Sequence, residues 1–564
     1  MRLTIILISA LSILSCHSNE SLDLVITGGT IYTASENSKT INAIGVKDGK
    51  IKMLGSVEDL LEKCSSNTQI VDASGMFVMP GLIEGHGHFY NMGKSLQNLN
   101  FLKDTSWEAI IDKVNLKAQT TEKGEWIYGR GWHQEKWMEQ PQNHYGAYPK
   151  HNELSQVTPD NPVMLVHASG HSLFANEKAI ELVGISSESP NPSGGNIVKD
   201  DHGNIVGVFE ERAMESFIDA YQSYLESLDQ EAQSKLWHHA IELAEETCLK
   251  NGITSFQDAG STFKQLDRYK QLALDGELDI RLWAMLRQTS EEMTDKVHSY
   301  RNIDVGDYHF TSRAIKTEID GALGSHGAWL IEPYEDKPEF YGQNTTTIEE
   351  VQKIAEQAYK NNMQLCVHAI GDRANKETLD IIEKYNTLSP GLRWRVEHAQ
   401  HLNPNDINRF KSTGAIASMQ AVHCTSDAPF VVKRLGTMRS KIGAYAWKQL
   451  LSQGVIIVNG TDAPVEDINP IENFFASVTR KRLDNGMAFF VEQRMSREEA
   501  LKSYTINAAF GAFEEDIKGS IELGKLADFT ILDQNLLTCT DDEIPRTNVV
   551  HTIVGGKVKY SINR

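Results

Sequence analysis

The sequence predicts an α/β fold: a distorted (β/α)8 TIM barrel with a small composite β-sandwich domain built from both chain ends. Two observations support this prediction. Strand-like apolar runs alternate with amphipathic helical stretches through the middle of the chain, and eight such strands are typical of a closed barrel. Short β-like segments also occur at both ends of the chain. The eight barrel runs are residues 78–83, 253–256, 280–286, 313–319, 364–368, 393–397, 415–419 and 455–458.

The first residues have the pattern of a removable signal peptide. Arg2 supplies a positive charge, residues 3–14 are mostly apolar, and Ser15-Cys16 follows. The run is too short to span a bilayer, and a cysteine directly after it resembles a bacterial lipoprotein signal in which Cys16 becomes the lipidated N-terminus. We therefore expect a lipid-anchored protein of the bacterial cell envelope that faces the periplasm. The alternative is a plain secretory signal that is cleaved elsewhere.

The domain organisation follows from the terminal β-like segments. Neither end can hold a core alone, so both are predicted to form one β-domain into which the barrel is inserted. The stretch after the first barrel strand exceeds one helix and has strand-like pieces of its own, so we expect an insertion over the barrel mouth. The predicted segments are residues 1–15 as signal peptide, 16–21 as tether, 22–80 with 515–564 as β-domain, and 81–514 as barrel with an insertion at about 90–250.

The composition restricts the possible partners. The net charge is −21, and no basic run interrupts it, so nucleic acid is not an expected partner. The five cysteines beyond Cys16 are widely spaced without a Cys-x-x-Cys pattern, so no disulfide framework is predicted. A small-molecule substrate is the expected partner, and membrane contact is expected only through the N-terminal lipid anchor.

Histidines and an aspartate occur where predicted strands end. His86 and His88 are two residues apart, so in a strand both imidazoles point to one side. His368, His398 and Asp462 end the fifth run or follow the sixth and eighth. Active sites of such barrels lie at the C-terminal ends of the strands, so these side chains are expected to converge. Each residue alone has a structural explanation, but their joint placement predicts a metal site.

Longer motifs are spread along nearly all of the mature chain. They are Pro80-Gly81-Leu82-Ile83-Glu84-Gly85-His86-Gly87-His88, Gly129-Arg130-Gly131-Trp132, His171 with Asn176, Asp320-Gly321-Ala322-Leu323-Gly324-Ser325, the stretches around His368 and His398, Asp462-Ala463-Pro464, and residues 519–528. On these motifs the chain resembles the amidohydrolase superfamily, in the N-substituted formamide deformylase-like branch, amidohydrolase family 3.

The sequence departs from the family pattern at two places. Glu84-Gly85 stands where Asp-Ser or Asp-Thr is usual, and His133 stands where Asp is common. The first departure is expected to lie one step away from the metal. The second is expected in the insertion, where it could change how a substrate fits.

The resemblance implies a centre of one or two divalent metal ions, usually zinc. The metal ligands that it implies are His86, His88, His368, His398 and Asp462, with Lys316 where related enzymes can carry a carboxylated lysine between two ions. The alternative for Lys316 is a structural role, in a salt bridge to Asp320 or Glu318. Candidate substrate-binding residues are His171, Trp132 and Arg373; His171 has a structural alternative, and Arg373 could instead form a plain ion pair with Asp372.

The expected activity is hydrolysis of a non-peptide C–N bond in an amide, an N-formyl compound or a cyclic amide. Metal-activated water would attack, and Asp462 would take its proton and deliver it to the leaving nitrogen. Two alternatives stay open. One is hydrolysis of another bond, such as a lactone or phosphoester, on the same metal site, and the other is a catalytically inactive, ligand-binding lipoprotein.

Overall fold

The computed structural model describes residues 21–35, 41–101, 104–134, 137–167, 172–193 and 195–562. The signal peptide and Cys16 therefore lie outside the described residues. The chain divides into two compact units, one containing the chain up to His88 together with Cys248 onward, and the other containing Phe89–Thr247. No described helix has both the length and the apolar character needed to cross a membrane.

Eight parallel strands form the barrel of the first unit. Each strand pairs with the next one along the barrel, so the spatial order follows the chain. A short strand, Asn302–Asp304, pairs antiparallel with the fourth barrel strand. Barrel strands 1 to 8 are Leu82–Gly87, Ile253–Ser261, Arg281–Leu286, Phe310–Glu318, Gln364–Ala369, Arg395–His398, Ile416–Met419 and Ile457–Asn459.

Helices follow the barrel strands and cover the outside, as the alternating sequence pattern predicts. The helix Ile348–Lys360 is representative: Thr347 caps its N-terminus, and Val351 and Ile354 are among the residues on its buried face. The helices of this unit are Val57–Leu61, Phe263–Asp275, Ser290–Met293, Val305–Tyr308, Ile348–Lys360, Asp372–Leu388, Pro404–Thr413, Ala421–Gly443, Trp447–Ser452, Pro470–Thr479, Arg497–Ser503 and Ile506–Gly511.

The barrel is nearly closed where strand 1 meets the end of strand 8. The Asp462 amide donates to the His86 carbonyl at 2.7 Å, and the Thr461 amide donates to the Glu84 carboxylate at 2.7 Å. Gly85 permits this approach, because a Cβ at that position would lie 2.4 Å from the carbonyl oxygen of Asn459. The buried side chain of Glu84 thus joins the two strands where the described residues form no regular backbone ladder.

The prediction that residues 78–83 form a single strand was wrong. The structure places Phe77–Pro80 in a sheet of the small domain and Leu82–Gly87 in the barrel. Gly81 separates them, and a Cβ there would lie 2.1 Å from the Thr254 hydroxyl. Proline and glycine break the apolar run into two strands of different sheets, a change that hydrophobicity alone does not reveal.

Two sheets from both chain ends form the small β-sandwich. They share one buried core, which includes Ile26, Ile44 and Ile531. This confirms the predicted fold class; the domain boundaries assigned from the sequence stay predictions. One sheet contains Lys50–Gly55, Ala43–Lys47, Leu24–Thr27 and Gln69–Asp72, and the other contains Thr30–Ile31, Phe77–Pro80, Phe529–Leu532, Val549–Val554 and Lys557–Ser561.

The second unit has its own six-stranded sheet and its own apolar cores. Its sheet strands are Gly195–Lys199, Ile205–Glu211, Ser172–Ala175, Val163–His167, Ile127–Trp132 and Leu99–Asn100, and a small hairpin is formed by His144–Tyr145 and Tyr148–Pro149. Its helices are Phe89–Leu96, Trp107–Ala118, Asn152–Val157, Glu177–Leu182 and Glu215–Ser227, and the helix Gln230–Lys250 continues into the first unit.

Candidate metal centre

His86 and His88 meet Asp462 at the C-terminal end of the barrel. Oδ1 of Asp462 lies 3.2 Å from Nε2 of His88 and 3.7 Å from Nε2 of His86. Asp462 has a positive φ of 62°, a conformation that is uncommon for residues other than glycine and that often marks functional sites. The structure therefore brings the predicted strand-1 histidines and the strand-8 aspartate together.

His368 and His398 join the same cluster from strands 5 and 6. The ring centroid of His398 lies 4.8 Å from that of His86 and 4.5 Å from that of His368. Burial lowers the pKa of His368 to about 3 and holds the pKa of His398 well below its ordinary value. Both rings are therefore neutral at physiological pH, which is the form that binds a cation.

Two buried nitrogens without hydrogen-bond partners indicate that this cluster fits a metal ion. The Nε2 atoms of His86 and His368 are buried, and neither has a hydrogen-bond partner in the described structure. Buried polar atoms are rarely left unpaired, and a cation would satisfy them. Two atoms bound to one zinc ion at about 2.1 Å each are at most about 4.2 Å apart, and the distances from Asp462 to His86 and His88 lie within this limit. The residues present fit a divalent ion.

A buried ion pair orients His86. Its Nδ1 contacts the Glu397 carboxylate, so a proton on Nδ1 leaves Nε2 free to act as a ligand. Arg395 donates from Nε to Glu397 at 2.6 Å and from Nη2 at 3.0 Å, and both side chains are fully buried. Although burial alone would raise it, Arg395 and His86 hold the pKa of Glu397 below its ordinary value. Glu397 was not predicted from the sequence, where its only local signal is the Arg-x-Glu-His order.

His423 is a further histidine of the site that was not predicted from the sequence. It lies on the helix Ala421–Gly443 that follows strand 7, and its buried Nε2 has no hydrogen-bond partner in the described structure. Potential ligand atoms of His398, His423 and Asp462 form a second group, all within 4.8 Å of one another. This residue could not be predicted from its position after a strand, because it lies on a helix.

Lys316 is buried on strand 4 beside this cluster. Burial lowers the pKa of its amine, and the charges of Glu397 and Asp462 partly oppose that effect. Neither of the carboxylates considered as its salt-bridge partner pairs with it: Glu318 pairs with Arg287 at 2.6 Å, and Asp320 accepts three backbone N–H groups. Among the described residues, Lys316 forms no ion pair.

Comparison with known proteins identifies the family. The amidohydrolase family profile matches residues 69–560. The chain belongs to the amidohydrolase family. It is 30% identical over 550 residues to the Arabidopsis thaliana protein LONG AFTER FAR-RED 3, covering 95% of this chain and 91% of that protein. It is 25% identical over 555 residues to the N-substituted formamide deformylase of Arthrobacter pascens, covering 95% of this chain and 98% of that protein.

Solved structures agree with this assignment. An uncharacterized metal-dependent hydrolase from Pyrococcus furiosus superposes with a TM-score of 0.72 at 28% identity, covering 91% of this amidohydrolase and 100% of that chain. One from Pyrococcus horikoshii gives the same TM-score at 27% identity, covering 92% of this amidohydrolase and 99% of that chain. Together with the histidine–aspartate cluster, these matches make the protein a metal-dependent hydrolase of the amidohydrolase family.

Glu84-Gly85, the first departure from the family pattern, has a structural explanation in this amidohydrolase. Burial raises the pKa of Glu84 to about 8, although the Thr461 and His86 amides that donate to it act in the opposite direction. Glu84 links strand 1 to the residue before Asp462. The glycine at position 85 leaves room for the strand-8 backbone, so Glu84 and Gly85 together set the position of Asp462 relative to His86.

The predicted substrate-binding residues do not have equal structural support. Arg373 pairs with Glu377 at 2.6 Å and lies over the Trp329 ring at 5.2 Å. Trp132 is fully buried in the second unit, where its indole N–H donates to the Leu165 carbonyl at 2.7 Å. His171 lies outside the described residues. A role in substrate binding stays a prediction for all three: His171, Trp132 and Arg373.

Proposed function

We propose that this amidohydrolase hydrolyses a non-peptide C–N bond in an amide, an N-formyl compound or a cyclic amide. The observation that carries the proposal is the similarity along 95% of the chain to a protein named N-substituted formamide deformylase. The convergence of His86, His88, His368, His398 and Asp462 supports it, because nitrogen and carboxylate ligands are typical of hydrolytic metal centres.

We propose zinc as the metal, with one or two ions. Imidazole and carboxylate side chains suit zinc, and His86, His88 and Asp462 would hold one ion, with His368 and His398 beside it. A divalent ion at this place supplies two effects: it lowers the pKa of a water molecule and polarises the substrate carbonyl. The neutral state of the buried histidines supports ion binding, because no proton has to be displaced first.

Asp462 is proposed to move the proton. Although burial alone would raise it, the contact with His88 holds the pKa of Asp462 below its ordinary value, so the carboxylate is ionised at neutral pH. It can accept a proton from the attacking water and then deliver it to the leaving nitrogen as the C–N bond breaks. The amide link from Asp462 to the His86 carbonyl, 2.7 Å long, fixes the backbone that carries this carboxylate.

Lys316 is proposed to be carboxylated. Burial lowers the pKa of its amine, and a neutral amine is the form that attacks CO2. A new C–N bond then forms, one proton leaves, and the side chain becomes an anion. That anion could lie between two metal ions, where a lysine cation would repel both.

A substrate panel tests the proposed function. Zinc-loaded enzyme is incubated with N-formyl amines, N-acyl amines, cyclic amides, lactones and phosphoesters, and the products are separated by chromatography. Turnover of a C–N substrate is expected, and Asp462→Asn is expected to abolish it. Turnover of only lactones or phosphoesters would replace the proposal with one of the alternatives. Saturable ligand binding without any turnover would favour an inactive, ligand-binding protein.

We further propose that the protein is anchored in the cell envelope through Cys16. The proposal is based on the apolar run before this cysteine. The wild-type chain should be found in the membrane fraction, and Cys16→Ser should move it to the soluble fraction. Equal membrane association of both proteins would contradict the lipid anchor.

A further inference from the structure

One carboxylate near the candidate metal centre lacks a positively charged partner. Asp427 is half-buried on the helix Ala421–Gly443, and it forms no ion pair within the described residues. Its Oδ2 accepts from the Tyr445 hydroxyl at 2.6 Å and from Nε2 of Gln400 at 2.9 Å, whereas Oδ1 accepts no hydrogen bond in the described part of the chain. Burial raises the pKa of Asp427, although the hydrogen bond from Tyr445 opposes that effect. A partly desolvated carboxylate without a cation is costly unless a ligand supplies the missing charge.

Two paths along the chain place Asp427 beside the candidate metal centre. His423 and Asp427 are four residues apart on one helix, so their side chains share a face, and the Tyr445 hydroxyl lies 3.3 Å from the His423 carbonyl oxygen. Gln400, which donates to Asp427, comes two residues after His398. The rings of His398 and His423 stack with centroids 6.0 Å apart and an angle of 16° between the planes. Asp427 therefore lies one helical turn, or about 6 Å along the helix, from this pair of histidines.

The next turn of the same helix is covered by the loop after barrel strand 4. Phe430 lies three residues after Asp427, and a Cβ at Gly324 would lie 3.2 Å from the Phe430 ring. Arg434 donates from Nη2 to the Gly324 carbonyl at 2.9 Å. A ligand that is held at the metal centre and extends along the helix would therefore reach Asp427 before it meets this loop.

Neighbouring arginines do not neutralise Asp427. Arg482 pairs with Asp484 at 2.5 Å, and Arg480 donates to backbone carbonyls at 2.7 and 2.9 Å. Beyond the effect of burial, the charge of Glu466 also raises the pKa of Asp427. The local field therefore favours a cation over an anion or a neutral group.

We propose that Asp427 is a specificity-determining residue that binds a primary ammonium group of the substrate through Oδ1. The inference rests on the proposed hydrolysis of a C–N bond at the metal centre. The helical turn sets the distance from the reacting carbonyl to the ammonium group at about 6 Å, which a spacer of about four methylene groups spans. The substrate class is then the N-formyl or N-acyl derivative of a short diamine. Water adds across its C–N bond, so that a carboxylic acid and the free diamine are released.

Two substrates that differ by one charge test this role. One is N-formyl-1,4-diaminobutane, and the other is N-formylpentylamine, in which a methyl group replaces the ammonium group. The kcat/KM for both is measured with zinc-loaded, full-length wild type, Asp427→Asn and Asp427→Glu. The control is Asp380→Asn, because Asp380 is exposed on the helix Asp372–Leu388 and pairs with Lys376 and Arg409.

The wild type and the control should prefer the charged substrate about 10- to 100-fold in kcat/KM, which is the factor that a hydrogen bond between charged groups contributes. Asp427→Asn should bring this ratio close to one, and its turnover of N-formylpentylamine shows that it is folded. Asp427→Glu should keep the preference for an ammonium group but favour N-formyl-1,3-diaminopropane, because its side chain is one methylene longer. A ratio near one in the wild type, or an unchanged ratio in Asp427→Asn, would overturn the role of Asp427. If Asp427→Asn is inactive on both substrates, the change of spacer in Asp427→Glu decides.

Binding of butylammonium separates this inference from the proposed function. Calorimetry measures its Kd without any need for turnover, and the wild type should bind it at least about tenfold more tightly than Asp427→Asn. Binding that depends on Asp427, without hydrolysis of any formamide or amide, would refute the proposed function and leave the ammonium site standing. Hydrolysis without such binding and without a preference for the charged substrate would overturn the ammonium site alone.

Discussion

Replacing Glu397 should weaken metal binding and destabilise the barrel, even though Glu397 is not proposed as a ligand. Arg395, fully buried, donates two hydrogen bonds to Glu397, and its other acceptors are neutral oxygens of Gly85, Ser418 and Gln257. Two hydrogen bonds between charged groups contribute about 1.5–3 kcal/mol each, so Glu397→Leu should cost about 3–6 kcal/mol. Breaking a buried ion pair by removing one partner typically costs about 3–5 kcal/mol, which agrees with this sum.

The same change removes the acceptor that orients His86. Glu397→Leu should therefore lower metal affinity about 10- to 100-fold, measured by competition with a chromogenic chelator. Stability is measured by thermal melting of metal-free protein, because bound metal would add its own stabilisation. The first unit contains two domains, so melting temperatures are compared rather than two-state free energies.

A double variant separates the buried charge from the lost contact. Arg395→Met with Glu397→Leu removes both charges, and it should melt at a higher temperature than Glu397→Leu alone. If the double variant is no more stable than the single one, the uncompensated arginine is not the cause of the destabilisation. If Glu397→Leu binds metal as tightly as wild type, the orientation of His86 does not depend on this carboxylate, and the reasoning is refuted.

Three further changes test other parts of the structure. Lys316→Ala should lower the bound metal, with partial rescue by short carboxylic acids, and unchanged metal content measured by mass spectrometry would leave Lys316 as a structural residue. Asp528→Asn should cost about 3–5 kcal/mol, because it leaves Arg281 buried without its partner 2.7 Å away. Despite burial, Arg281 lowers the pKa of Asp528 in the folded state. The stabilisation is therefore present above the ordinary pKa of 3.8 and is lost as the pH falls through the lower folded-state pKa. The melting curves of the wild type and Asp528→Asn should converge at that low pH. Gly85→Ser should cost about 1–3 kcal/mol by overpacking the strand-8 backbone, whereas Gly55→Ser, where a Cβ would meet nothing closer than 3.5 Å, should melt like wild type.

The repeating architecture was predictable because it depends on local patterns. Barrel strands are buried on both faces, so they appear in the sequence as short apolar runs. The helices between them show the hydrophobic periodicity of an amphipathic helix. The prediction of one strand for residues 78–83 was wrong because Pro80-Gly81 divides this run between two sheets. Only the tertiary structure shows which half joins which sheet. His86 and His88 were predictable as a pair because residues two apart on a strand share one side.

The parts of the site that were missed depend on long-range contacts. Glu397 acts through His86, which is 311 residues away in the sequence, and no local pattern encodes that pairing. His423 lies in the first turn of a helix whose first backbone amides donate hydrogen bonds to the side-chain oxygens of Asn459 and Asn473. Asparagine and histidine in such a stretch have many ordinary explanations. Residues at the ends of barrel strands could be predicted to converge, whereas Glu397 and His423 have no such positional signal and reach the site only through the folded barrel.

The small β-sandwich can be completed only after the last part of the chain has been synthesised. Pro80 pairs with Phe529, so partners in one sheet are 449 residues apart (529 minus 80). Closing a flexible loop of that length would cost about 5 kcal/mol, which falls once the barrel has folded and shortened the gap. Because chains are made from the N-terminus, the apolar face that includes Ile26 and Ile44 has to wait for Ile531. A nascent or truncated chain that ends after the barrel would expose this face as a site for aggregation or chaperone binding.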